Sequence, residues 1–139
     1  MADNAAASVL GSLMTANPPP PFDTAGLEEP AIQSFRDDGV TFRDGLGFVP
    51  GAAFEPRMLP DRHWGQLYNL LNRSPQTLAI GIDIGTALEL AQDDPTVFGS
   101  RAVVTLDGRY ASYGVGGNRA LGARYVILDS FVDGDAVWP

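Results

Sequence analysis

The sequence predicts an α/β fold with two helices near the N terminus, followed by a strand-rich C-terminal part. Two segments carry apolar residues at the spacing of one helix face, and each is followed by proline. From residue 78 onward, short apolar runs alternate with turn residues, which is typical of strands. Asp-Gly pairs, which favour tight turns, occur at 38–39, 44–45, 107–108 and 133–134.

The first helix is predicted to begin almost at residue 4, because Asp3 and Asn4 are good N-cap residues. Its apolar face is formed by Val9, Leu10, Leu13 and Met14. The prolines of "NPPPPF" cannot continue a helix and favour an extended segment. Residues 17–38 are therefore predicted to form a proline-rich loop.

The second helix is predicted in "DRHWGQLYNLLNRSP", where Leu67, Leu70 and Leu71 share one face and Pro75 ends the helix. Before it, "VTF" reads as a short strand. After it, strands are predicted in "TLAIGID", "TALEL", "VFGSRAVVTLDG" and "ARYVILDSFVDGDAVW". The segment "GVGGNRALGA" is predicted to be a glycine-rich loop. It lacks the strand-before, helix-after context of a phosphate loop, so nucleotide binding is not expected.

Composition restricts the chemistry that the chain can perform. Its 139 residues fit a single domain or half-domain spanning 1–139. A net charge of −8 argues against binding the nucleic-acid backbone. With no cysteine and one histidine, disulfides, thiolate metal sites and multi-histidine sites are excluded, and no metal or cofactor is expected.

Nothing in the sequence predicts membrane insertion. No stretch approaches about 18 apolar residues, the length that a spanning helix needs. The N terminus lacks a basic region before an apolar run, so no signal peptide is expected on this chain. Either a cytoplasmic or a secreted bacterial protein would fit.

An acidic residue interrupts the apolar run "LAIGIDIGTALEL", which extends from Leu78 to Leu90. A buried carboxylate is unfavourable unless it is hydrogen-bonded or paired. We expect Asp83 to be structural and to accept N–H bonds from the following turn at Gly85 and Thr86. A direct role of Asp83 in ligand binding is the alternative.

Four segments, in order, carry a family resemblance: "DGLGFVPG", "GQLYNLL", "AIGIDIGTAL" and "VFGSRAVVTLDG". They resemble the C-terminal half of the cyanophycinase-like serine peptidases, relatives of alpha-aspartyl dipeptidase. The opening "NAAASVLGSLMT" is similar to the helix after that family's nucleophile turn. The resemblance implies half of a flavodoxin-like α/β sandwich, completed by another chain in a hetero- or homo-oligomer.

The resemblance also implies a serine nucleophile activated by a histidine that an acid orients. Asn4 stands at the nucleophile position and cannot form an acyl-enzyme, while Ser8 lies one helical turn further along. A gap-free match places Arg57 at the family histidine, and arginine is no base near neutral pH. A shifted match of "DRHW", Asp61 to Trp64, makes His63 the candidate base instead.

The remaining family positions are also altered or ambiguous. Ile84 stands where the family motif has a glutamate. The third member of the triad could be Asp23, Glu28 or Glu29, in a loop too divergent to choose between them.

These losses favour a chain that is not an enzyme. The leading hypothesis is a non-catalytic structural or interaction subunit that pairs with a chain supplying the N-terminal half-sheet. One alternative is an active peptidase assembled from two chains, with His63 as base. Another is a small-ligand binding module in which Arg57 or Arg62 holds a carboxylate. The sequence does not identify any ligand-binding residues beyond these.

Overall fold

The computed structural model describes residues 4–16, 34–60, 62–90 and 95–137. Most of the predicted proline-rich loop, residues 17–33, therefore lies outside the described residues. The elements, in chain order, are a 3₁₀ helix (Asn4–Leu10), β1 (Leu13–Thr15), β2 (Phe42–Asp44), β3 (Ala52–Pro56), α1 (Trp64–Arg73), β4 (Leu78–Ile82), β5 (Thr86–Glu89), β6 (Thr96–Gly99), β7 (Val103–Asp107), β8 (Ser112–Val115), β9 (Leu121–Arg124) and β10 (Ile127–Phe131).

A mixed four-stranded sheet in the order β10-β7-β4-β3 organises these elements into an α/β fold. Strands β3 and β4 are parallel, with Ala53 opposite Ala79, and α1 connects them. Parallel neighbours need such a crossover, whereas antiparallel ones can be joined by a short turn. The β4–β7 and β7–β10 pairs are antiparallel. Two hairpins, β5–β6 and β8–β9, and a β1–β2 pair surround the sheet.

Each face of the sheet is covered by a different apolar cluster, because side chains alternate along a strand. Helix α1 covers one face, and its leucines pack with strand residues in a cluster of Ala53, Met58, Leu67, Leu70, Leu71, Ala79, Val104 and Leu106. The opposite face contains Ala52, Phe54, Ile80, Val97, Val103 and Val137. The second predicted helix and its apolar face are thus confirmed.

The prediction for the first helix is wrong. The chain forms only a short 3₁₀ helix, and Leu13 and Met14 lie in strand β1. The cause is tertiary: β1 pairs antiparallel with β2, with Met14 opposite Arg43, and Ser12 donates its N–H to the Ala52 carbonyl at 3.0 Å. This pairing with a strand overrides the helix propensity of the alanine-rich segment. Among the described residues, α1 is the one α-helix.

Two strand assignments also differ from the sequence prediction. Strand β3, in the segment "AAFEP", was not predicted from the sequence. The predicted loop "GVGGNRALGA" instead contributes to the β8–β9 hairpin, with Tyr113 opposite Ala123. Tyr113 packs against the α1 cluster, so burial of one hairpin face stabilises strands in a glycine-rich sequence.

Candidate functional site

A buried glutamate lies on β3, on the sheet face that α1 covers. Glu55 follows Ala53 by two residues and therefore points to the same side of the strand. Its register partner on β4 is Gly81, over which the side chains of Met58 and Val104 pack closely. Burial of an ionisable group requires polar partners.

Two side chains from separate elements contact the Glu55 carboxylate. The Thr15 hydroxyl, on β1, donates a 2.6 Å hydrogen bond to Oε2. The Nδ1 atom of His63 lies 2.7 Å from Oε1. The two atoms are close, but the contact does not have the geometry of a hydrogen bond. We name Thr15, Glu55 and His63 the Glu55 cluster.

His63 reaches the carboxylate because the chain turns back between β3 and α1. Arg57 and Arg62 adopt positive φ angles of 57° and 56° in this turn, and the His63 N–H donates to the Met58 carbonyl at 3.0 Å. His63 then occupies the N-cap position of α1, although its side chain does not cap the helix. The imidazole is 12% exposed.

The Glu55 cluster has one chemical property of a catalytic triad and lacks another. A carboxylate at Nδ1 of an imidazole fixes the ring, so that Nε2 can act as a base. However, the hydroxyl in the cluster belongs to Thr15 and bonds to the carboxylate, not to the imidazole. The cluster alone is therefore an acid–histidine pair without a nucleophile placed on the histidine.

Three of the other predicted site positions lie on described elements, at the N terminus and directly after β3. Asn4 begins the 3₁₀ helix, and Ser8 is buried further along it. Arg57 sits on the turn that follows β3. Asp23, Glu28 and Glu29 lie outside the described residues, as does Asp61. Sequence reasoning missed Glu55 as the partner of His63.

Asp83 is buried at the end of β4 and holds the turn that follows. Its Oδ1 accepts the N–H of Ile84 at 2.8 Å, and its main-chain carbonyl accepts the N–H of Thr86 at 3.2 Å. The Asp83 side chain therefore accepts the N–H of Ile84, whereas the sequence predicted that it would accept those of Gly85 and Thr86. Gly85 supplies the positive φ of 74° that the turn requires.

Arg101 adds an ion pair that the sequence did not indicate. Its Nη1 lies 3.3 Å from Oδ2 of Asp83, and its main-chain N–H donates to the Thr86 hydroxyl at 3.1 Å. The turn after β4 is thus joined to the connection between β6 and β7. These contacts hold the Asp83 carboxylate between the turn and Arg101.

The described part of the chain contains no group of three or more histidine, cysteine, aspartate or glutamate residues placed to hold a metal ion. Within the same residues, no helix is long and apolar enough to cross a membrane. No protein-family model matches the chain, and no curated protein matches it significantly.

Proposed function

We propose that the chain is a non-catalytic interaction subunit that pairs with another chain, which supplies an N-terminal half-sheet. The observation that carries this proposal is a pair of exposed apolar side chains on a loop that main-chain hydrogen bonds hold in place. Leu46 is 65% exposed and Phe48 is 73% exposed. A contiguous apolar patch on an ordered surface is typical of a site that contacts other proteins.

Main-chain hydrogen bonds fix the loop that carries these side chains. Leu46 donates its N–H to the carbonyl of Val9 at 2.6 Å, and Val49 donates to Leu10 at 3.0 Å. The intervening Gly47 donates to the Gly11 carbonyl at 2.9 Å. The loop is therefore held against residues 9–12, and its apolar side chains are exposed in a fixed arrangement.

The loop lies at the side of the sheet where a further half-sheet would be added. Strand β3 is the outermost strand of the sheet on this side. Residues 11 and 12 lie beside its beginning, where Ser12 donates its N–H to Ala52, and β1 contacts it further along through Thr15 and Glu55. A partner that extends the sheet beyond β3 would approach the surface formed by Leu46 and Phe48.

The Glu55 cluster supports the non-catalytic part of the proposal. The family resemblance places Asn4 where a serine nucleophile would be needed, and an amide cannot form an acyl-enzyme. The Thr15 hydroxyl donates to Glu55, so it does not replace that nucleophile. On this reading the Glu55 cluster stabilises the junction of β1, β3 and α1.

Site-specific photo-crosslinking in the native cells tests the proposal. A benzophenone amino acid in place of Phe48 should capture one partner protein in a discrete adduct. The same amino acid in place of Tyr110, which is 77% exposed on the β7–β8 turn, is the matched control and should capture none. No adduct from position 48, or the same adduct from both positions, would contradict the proposed surface.

The contact between Glu55 and His63 favours one second candidate, a peptidase assembled from two chains. In that case the partner supplies a serine, and His63 acts as its base. The purified complex should then hydrolyse an aspartyl dipeptide, and His63→Gln should abolish the activity while the complex stays assembled. The interaction-subunit proposal expects no hydrolysis that depends on His63.

A further inference from the structure

Strand β10 is the other outermost strand of the sheet, and it is exposed over most of its length. Its five residues pair with β7 on one side, from Ile127 opposite Asp107 to Phe131 opposite Val103. No strand among the described residues pairs with its other side. Four of its residues are exposed, and Phe131 is partly buried. An outermost strand of this kind leaves main-chain N–H and C=O groups available to another strand.

The side chains of β10 present an apolar surface on both faces of the sheet. Leu128 lies opposite Leu106 and so points to the α1 side, yet it remains 52% exposed. Ile127 points to the opposite side and is also largely exposed. Edge strands commonly carry protective charges, prolines or bulges. In β10 the one charged residue is Asp129.

Asp129 selects the kind of strand that can pair here. It is exposed, and no hydrogen bond or ion pair of its carboxylate occurs among the described residues. It lies between Ile127 and Phe131 on one face of the strand. A lysine or arginine directly opposite it would gain a cross-strand charge pair, whereas an acidic residue there would be repelled.

We infer that β10 binds an extended segment of a partner protein by strand addition, with a basic residue opposite Asp129 and apolar residues two positions to either side. Main-chain bonds supply affinity in this mode, and alternate side chains supply specificity. The inference uses a different edge from the surface of Leu46 and Phe48, so it does not depend on the proposed function.

Charge argues against two other occupants of this edge. Centred antiparallel pairing of β10 with a second copy would place Asp129 opposite Asp129, and each copy carries a net charge of −8. The chain's own residues 17–33 contain acidic residues, no basic residue and several prolines, which lack the N–H that a strand ladder uses. A basic segment from another protein fits better than either.

A pair of designed peptides tests the inference on the full chain. One is acetyl-Thr-Val-Thr-Lys-Val-Val-Thr-amide, and the other has glutamate in place of lysine. Backbone amide shifts of the isotope-labelled protein are followed during titration. The lysine peptide should perturb residues 127–131 and bind more tightly than the glutamate peptide, and Asp129→Lys should weaken its binding about fivefold.

Asp44→Lys, an equal change of charge at an exposed position on β2, is the matched control and should leave the preference unchanged. Equal binding of the two peptides, or no shifts at residues 127–131, would overturn the inference. So would self-association mapped to β10. Slow hydrogen exchange in the free protein at β10 amides that do not bond to β7 would overturn it too, because the edge would already be occupied.

Discussion

Removing the imidazole of His63 is expected to destabilise the fold, because it leaves the buried Glu55 carboxylate with one polar neighbour instead of two. Leaving a buried polar group without a partner typically costs about 1–3 kcal/mol. The Glu55 side chain is only 5% exposed, so water does not readily replace the imidazole and the upper end applies. We expect His63→Ala to lower the free energy of unfolding by about 3 kcal/mol.

A double-mutant cycle separates this effect from the loss of packing. In a Glu55→Gln background, an uncharged amide replaces the carboxylate. Removing the imidazole then costs less free energy, so His63→Ala should cost only about 1 kcal/mol. Thr15→Val, which removes the other donor to the carboxylate, should cost about 1–3 kcal/mol. Urea unfolding at neutral pH measures each value. If His63→Ala costs the same in both backgrounds, Glu55 and His63 are not coupled and the account of the cluster is wrong.

Three further predictions concern other parts of the fold. Asp83→Ala should cost about 1–3 kcal/mol in urea unfolding, because a main-chain N–H loses its acceptor, while Asp83→Asn should cost less. Gly81→Ala should cost about 1–3 kcal/mol, because a Cβ there would lie 2.7 Å from Met58. Hydrogen bonds from Arg109 lower the pKa of Asp107. The wild type should therefore be more stable than Arg109→Ala at neutral pH, and the difference should vanish in acid as Asp107 protonates. A stability difference that does not change with pH would refute this role of Arg109.

The parts of the fold that sequence predicted are those fixed by local patterns. Helix α1 follows from the spacing of Leu67, Leu70 and Leu71, all of which are buried in one cluster. The first helix was predicted by the same spacing and was wrong. There the outcome depends on pairing with β2 and on one hydrogen bond to Ala52, both of which are distant in sequence and so leave no trace in the local spacing of apolar residues.

The candidate site was only partly predictable, because its contacts also join residues that are distant in sequence. His63 was singled out through a shifted family match, but its contact with Glu55 depends on a tight turn with two positive φ angles. Thr15 lies 40 positions from Glu55, and no spacing rule links them. In the turn after β4, the sequence marked Asp83 as an acid needing partners, whereas Arg101 joins it only through the fold.

The central claim, that the chain works as an interaction subunit, is tested most directly by native mass spectrometry. The tagged chain is purified from its own cells, as the wild type and as the Leu46→Ser/Phe48→Ser variant. We predict a defined complex with a second protein for the wild type, and loss of that complex in a variant that still folds. A wild-type chain that emerges alone, or a complex that the double substitution leaves intact, would contradict the account.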